Sequence, residues 1–332
     1  MLACLLPPLQ WTLFDYLGEP AAGTRPHGQS NWPQVSCNFG AFDLAGFAKP
    51  AASFYRAWWL ANVDPRSPGR PPIADAERLV KIVHAWRLPA PPIVAVYSNL
   101  PTIELFVNGA SLGRQRMAWA NWTQWSPAFV PGNLTAVGYD ASGAVAATDT
   151  QLTPGAAAKI QLSLDAPAPA TGTGTALLLD GADAALVRAS VLDARGVLVT
   201  AAAAHSINIT FAVLSGPGRV IGVGNGNPVS HEANKASSRV VHHGLARAVV
   251  QVSVNAATPD RAMQAAIDVE GNVSTRLYPP GSVYDGPDFI TVQASAAGFA
   301  PATIRIPVSV DAQMHGVLAV AARSVRTPLS ID

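Results

Sequence analysis

Glycine and proline punctuate this chain too often for long helices to build it. Its 332 residues include 27 Gly and 28 Pro, and only 13% are charged. Proline removes a backbone donor, and glycine inside an element carries an entropic cost. A chain interrupted in this way predicts short strands joined by turns, a mostly-β protein. At roughly 100–200 residues per domain the length suggests two or three units, and 49% hydrophobic residues supply core for each.

Short strand-like runs begin at Leu79. Residues 80–83, 93–98, 103–107, about 117–125, 133–139 and 144–149 read as strands, and Asn108-Gly109 suits a two-residue type I′ hairpin, whose turn needs positive φ twice. After Gly155 and three alanines the pattern resumes at 159–164, 186–192, 197–200, 208–213, 220–223 and 245–254. Asp193-Ala194-Arg195-Gly196 is a turn, residues 256–287 read as an insertion, and 289–294 and 303–310 close the set. Strands at this spacing predict two immunoglobulin-like β-sandwich domains, at 79–154 and 155–311, followed by a tail at 312–332.

The start of the chain is different. Residues 11–14, Trp-Thr-Leu-Phe, suit a buried strand that Asp15, Gly18, Glu19 and Pro20 then stop. An aromatic plane beside carboxylates can hold a sugar, the indole under its apolar face and the carboxylate accepting from its hydroxyls. Taken on these residues alone, a core Trp11 and a turn Asp15 are the better reading. Residues 51–61 read as a helix opened by Pro50, with Phe54, Tyr55, Trp58 and Trp59 at near-helical spacing as a packing stripe. Residues 64–78 read as a linker.

Six stretches resemble glycoside hydrolase family 2, the β-galactosidase and β-glucuronidase family. Residues 11–20 are close to W-T-x-F-D-Y-L-G-E-P, with Leu13 where relatives usually carry Gly, and residues 36–47 are close to S-x-x-F-G-x-F-D-L-A-G-F. Residues 96–114 match V-Y-S-N-x-x-x-x-E-L-F-V-N-G-x-S-L-G-R, and 132–139 match G-x-L-x-A-V-G-Y. In the second sandwich Ser215-Gly216-Pro217-Gly218 and the run from Gly222 to Glu232 fit S-G-P-G and G-V-x-N-G-[DN]-P-x-S-H-E, with Gly224 where Asp is common.

The resemblance implies that residues 1–63 are the end of a catalytic (β/α)8 barrel, its last strand and helix. It implies substrate-binding roles for Trp11, Asp15, Glu19 and Asn38 at the sugar-binding face. It implies a β-linked glycoside as partner and a retaining mechanism with two glutamates from earlier strands. Residues 1–10 contain no Asp or Glu, so no catalytic residue is assigned here and the chain is expected to be inactive alone. The alternative is a non-catalytic carbohydrate-binding or cell-surface sandwich protein. One strand cannot close a barrel, so residues 11–14 are expected to present an unpaired apolar edge.

Other classes find little support. A net charge of +1 with no Lys/Arg cluster leaves nucleic acid without an electrostatic footprint. There is no run of about 18 apolar residues for a membrane. Cys4 and Cys37 are expected as free thiols. Sequons at Asn121, Asn133, Asn208 and Asn272 hint at secretion.

Several suggestive groups are expected to be structural. The glycines of 222–226 are read as loop, since no helix follows to cradle phosphate. His231-Glu232 lacks a second histidine at Lys235, and His242 and His243, as strand neighbours, are expected to face apart. No zinc, other metal or cofactor is predicted. Spacings of three should also turn Trp119, Trp122 and Trp125 to alternating faces, against a flat platform. His84 and Trp86 are candidates to reach towards the barrel segment.

Overall fold

The computed structural model describes residues 11–19, 32–59, 77–118, 121–200, 206–255, 276–277 and 284–310. The expected linker as far as residue 76, residues 256–275 and 278–283 of the insertion, the tail, Cys4 and Trp119 lie outside the described residues. The chain divides into two compact units, Met1–Ala156 with Gly226–His231, and Ala157–Asn225 with Glu232–Asp332.

The first unit holds α1 (Pro50–Trp59), β1 (Val80–Ile82), β2 (Val94–Ser98), β3 (Thr102–Val107), β4 (Ala110–Arg116), β5 (Thr123–Trp125), β6 (Asn133–Tyr139) and β7 (Val145–Leu152). They form two sheets, ordered β1-β2-β5 and β4-β3-β6-β7. Alternation sets the core: Val94 and Val96 of β2 meet Ile103 and Leu105 of β3 and Leu134 and Ala136 of β6. Asn108 and Gly109 take φ of 49° and 84°, closing the β3–β4 hairpin as the Asn-Gly pair requires. The Gln115 amide ties the two sheets, donating to the Gln124 carbonyl at 2.7 Å and accepting from its N–H at 3.3 Å.

Trp125 is 8% exposed in this core, whereas Trp122, three residues earlier, is 46% exposed on the other face. There it meets the α1 stripe, with Phe54 5.2 Å from Tyr97 and 6.5 Å from Trp122 between ring centroids. Trp86 turns into the sandwich core, its indole N–H on the Val130 carbonyl at 2.9 Å. Burial holds the nearby His84 imidazole below its ordinary pKa.

The second unit holds β8 (Ala157–Ala166), β9 (Leu177–Leu178), β10 (Ala184–Asp193), β11 (Asn208–Ser215), β12 (Gly218–Gly224), β13 (Ser238–Val240), β14 (Leu245–Val252), β15 (Val254–Asn255), β16 (Arg276–Leu277), β17 (Phe289–Ser295) and β18 (Ala302–Ser309). Its sheets run β12-β14-β10-β8 and β13-β11-β17-β18-β9, with β15 and β16 paired separately. Inward residues of β10 and β14, among them Val187, Val191 and Val250, pack with Ile209, Phe211, Ile290 and Ile306. The chain is therefore mostly β, with two sandwiches.

Four expectations need correction. Residues 11–14 make no strand: Phe14 forms a single bridge to Phe42, because one neighbour cannot sustain a ladder. Residues 197–200 likewise reduce to one bridge, Leu192 to Leu198. Gly222 and Gly224 lie within β12, where the register shifts between Val220 and Gly222, and the loop begins only at Asn225. His242 and His243 do not face apart; their ring centroids are 4.1 Å apart. They begin the turn between β13 and β14, where His242 and Leu245 exchange backbone bonds and strand alternation does not apply.

Candidate functional site

The segment 11–19 folds against 35–43 through backbone bonds. Phe42 N–H donates to the Leu13 carbonyl, Asp15 N–H to Phe42, Cys37 N–H to Tyr16 and Gly18 N–H to Val35, at 2.9 to 3.0 Å. Gly40 permits the closest approach: a Cβ there would lie 2.3 Å from Asp15 N and 2.5 Å from the Phe14 carbonyl carbon. Buried Cys37 accepts the Tyr16 N–H on its sulfur at 3.2 Å.

Asp15 anchors this crossing. It is 8% exposed, and Oδ1 accepts the Gly40 N–H at 2.8 Å. Lys49 Nζ lies 2.9 Å from Oδ1 and 3.0 Å from Oδ2, and also donates to the Asn38 carbonyl at 2.7 Å. The Asp15 carboxylate is thus engaged from within, and the Asn38 backbone shares its cation.

Trp11 and Glu19 meet at Tyr16. The indole Nε1 donates to the Tyr16 hydroxyl at 3.2 Å, and that hydroxyl donates to Glu19 Oε2. The bond to Glu19 raises the Tyr16 pKa, while the bond from Trp11 works against it. Trp11 itself is 71% exposed. Leu13, Phe14 and Leu17 are exposed beside it in sequence, an apolar row on one short segment.

The loop Gly226–His231 belongs to the same unit. Val35 N–H donates to the Pro228 carbonyl at 2.8 Å, and His231 Nε2 lies 2.9 Å from the Pro33 carbonyl. Gly226 has φ of 72°, and a Cβ there would meet the Asp43 carboxylate at 1.9 Å. Asp43 meanwhile caps its own turn, accepting from the Ala45 and Phe47 amides at 2.9 Å. The next residue, Glu232, serves the second unit. Its Oε1 accepts the Val240 N–H at 3.0 Å, and Arg239, 2% exposed, lies 3.5 Å from Oε2.

The motif residues of the first sandwich form a separate surface network. Glu104 accepts from Ser111 at 2.6 Å, Tyr139 at 2.7 Å and Arg114 at 2.9 Å, while Arg114 stacks over the Tyr139 ring. The Ser111 and Tyr139 hydroxyls, then Arg114, hold the Glu104 carboxyl at about 2. Ser98 and Asn99 of the same motif bind the backbone around β1, both through Leu79. These residues stabilise a fold.

Residues 170–258 match the Glycoside hydrolase family 2 C-terminal domain 5, and residues 92–147 match a domain of unknown function, DUF4982. A β-galactosidase of Bacteroides ovatus, BoGH2A, is 33% identical over 244 residues, 73% of this chain and 25% of that protein. This chain is a C-terminal portion of glycoside hydrolase family 2. A putative beta-glucuronidase of Formosa agariphila is 28% identical over 251 residues, 72% of this chain and 21% of that protein. The crystal structure of a glycosyl hydrolase family 2 member from Bacteroides cellulosilyticus covers 90% of this chain and 35% of its own. Its TM-score is 0.63 at 25% identity. The chain spans about a quarter of the length of the curated relatives it matches.

Among the residues expected at the sugar site, Trp11 and Glu19 come together through Tyr16, whereas Asp15 and Asn38 come together through Lys49. Tyr16, Gly40 and Lys49 were not singled out from the sequence. Tyr16 and Gly40 stood inside the quoted motifs, but no spacing marked Lys49 as the partner of a residue 34 positions away.

Proposed function

We propose that this chain supplies one edge of the sugar site of a retaining β-glycosidase, with two accessory sandwiches following it in the chain, and that the partner is a β-linked glycoside. The observation that carries this reading is Trp11, a largely exposed indole whose edge is held at 3.2 Å by Tyr16, beside Glu19. Trp11 is the plane for the apolar face of the sugar, and Glu19 and Asn38 are hydrogen-bonding groups at its rim. Asp15 holds the loop from behind through Lys49 and Gly40.

The bond-breaking pair is assigned to other barrel strands. Retaining enzymes need two carboxyl groups about 5 Å apart across the scissile bond. The carboxylates described between residues 11 and 59 are Asp15, Glu19 and Asp43, engaged with Lys49, Tyr16 and turn amides respectively. The exposed side chains of Leu13, Phe14 and Leu17 are the kind of apolar surface that further barrel strands would cover. Names of relatives support the class, one a β-galactosidase and one a putative beta-glucuronidase.

Saturation-transfer NMR of the purified chain with methyl β-galactoside and methyl β-glucuronide tests the reading. Transfer from aromatic protons to one of these sugars is expected, with loss in Trp11→Ala. Transfer unchanged by that substitution, or none to either sugar, contradicts it.

A further inference from the structure

We infer that Trp32 and His231 form a second saccharide-stacking subsite, distinct from Trp11, for a pyranose unit of a β-linked oligosaccharide. Trp32 is 68% exposed, and its ring lies 4.4 Å from the His231 ring, tilted by 49°. His231 is itself fixed by Nε2 on the Pro33 carbonyl at 2.9 Å. The loop carrying it is pinned by Pro228 to Val35 and by the fit of Gly226 against Asp43. An indole supported by a fixed ring and still largely exposed is a preorganised platform, which lowers the ordering cost of binding.

The chemistry around the platform selects the ligand. Residues 32–36 are Trp, Pro, Gln, Val and Ser, and 226–231 are Gly, Asn, Pro, Val, Ser and His. No Asp, Glu, Lys or Arg lies in either stretch, and the Asp43 carboxylate beside Gly226 caps its own turn, so the polar side chains these stretches bring to a rim are the amides of Gln34 and Asn227 and the Ser230 hydroxyl. Such a rim suits sugar hydroxyls rather than an ionic ligand. Trp32 and Val229 are the large apolar side chains exposed in these two stretches. That patch is far smaller than the roughly 1,000 Å² a specific protein interface needs. Trp11 is held instead by Tyr16, so the two platforms have separate supports. The choice of a saccharide rests on the proposed function; the existence of the platform does not.

Saturation-transfer NMR on the full chain with lactose, cellobiose and xylobiose tests this. Transfer to ring C–H protons of at least one disaccharide is expected. It falls about five- to tenfold in Trp32→Ala, the scale of one lost aromatic contact. It is partly retained in Trp32→Phe and persists in Trp122→Ala. Because Trp32 is exposed, thermal midpoints of the variants are expected to match the parent chain. No transfer to any of the three sugars, or transfer that survives Trp32→Ala in full, overturns the subsite. Loss in Trp11→Ala with full retention in Trp32→Ala also overturns it, while leaving the barrel-end reading in place.

Discussion

Lys49 closes on both oxygens of Asp15, at 2.9 and 3.0 Å, and so fastens the residues just before α1 to the segment that carries Trp11. The pair is mostly buried on the acid side and partly open on the lysine side. Desolvation of the carboxylate is offset by the Gly40 amide as well as by Lys49.

Asp15→Asn is therefore predicted to loosen residues 11–49 without unfolding either sandwich. The substitution leaves Lys49 without its counter-charge and should cost this segment about 1–3 kcal/mol, below a fully buried pair because Lys49 is partly exposed. Hydrogen exchange at the Gly40 and Phe42 amides measures it. Protection equal to that of the parent chain would show that the pair does not hold the crossing.

Gly40→Ala should be more damaging than Gly18→Ala. At Gly40 the new methyl would meet backbone atoms of Phe14 and Asp15 at 2.5 and 2.3 Å, which cannot rotate away. Overpacking of this kind costs about 3 kcal/mol. At Gly18 nothing lies within 4 Å, and the cost is the strain of a φ of 95°, about 1–2 kcal/mol. Limited proteolysis between residues 11 and 49 should rank the two variants in that order; the reverse order would place the close approach elsewhere.

Glu104 makes the first sandwich sensitive to acid. Its pKa is lowered from 4.5 to about 2 by the Ser111 and Tyr139 hydroxyls and by Arg114. The unfolded chain therefore takes up a proton before the folded one does, and stability falls as pH drops from about 4.5 towards 2. Above that window the contribution is complete. Glu104→Gln should lower the thermal midpoint of this sandwich at pH 7, and the difference from the parent chain should shrink towards pH 2. A difference that is independent of pH would remove Glu104 from the acid response.

Much of the fold was legible because strands of this kind carry their own pattern. Asn133–Tyr139 alternates inward Leu134 and Ala136 with outward neighbours, and Asn108-Gly109 specifies its turn chemically. The spacing of Trp122 and Trp125 correctly put them on opposite faces. Ala110–Arg116 was missed because its side chains are mostly exposed, which leaves no apolar alternation to read. Leu177–Leu178 was missed because two residues carry no period, and its partner, β18, lies more than a hundred residues away.

The site was legible in its residue types and not in its pairings. Trp11 and Glu19 could be named together, but Tyr16 as the group joining them depends on how the segment curls. Asp15 read as a turn residue because Lys49 is brought to it only by tertiary structure. His231 and Glu232 looked like one motif, yet one side chain reaches Pro33 and the other caps Val240. Adjacent residues served different units, and no local rule anticipates that.

In the proposed function a sugar-binding edge belongs to this chain and the catalytic pair to other barrel strands. Hydrolysis of nitrophenyl β-galactoside, β-glucuronide and β-mannoside by the purified chain tests that division most directly. No release of nitrophenol above the buffer rate is predicted for any of the three. Release that disappears in Glu19→Gln or Asp15→Asn would contradict the account and make residues 11–19 a catalytic centre in their own right.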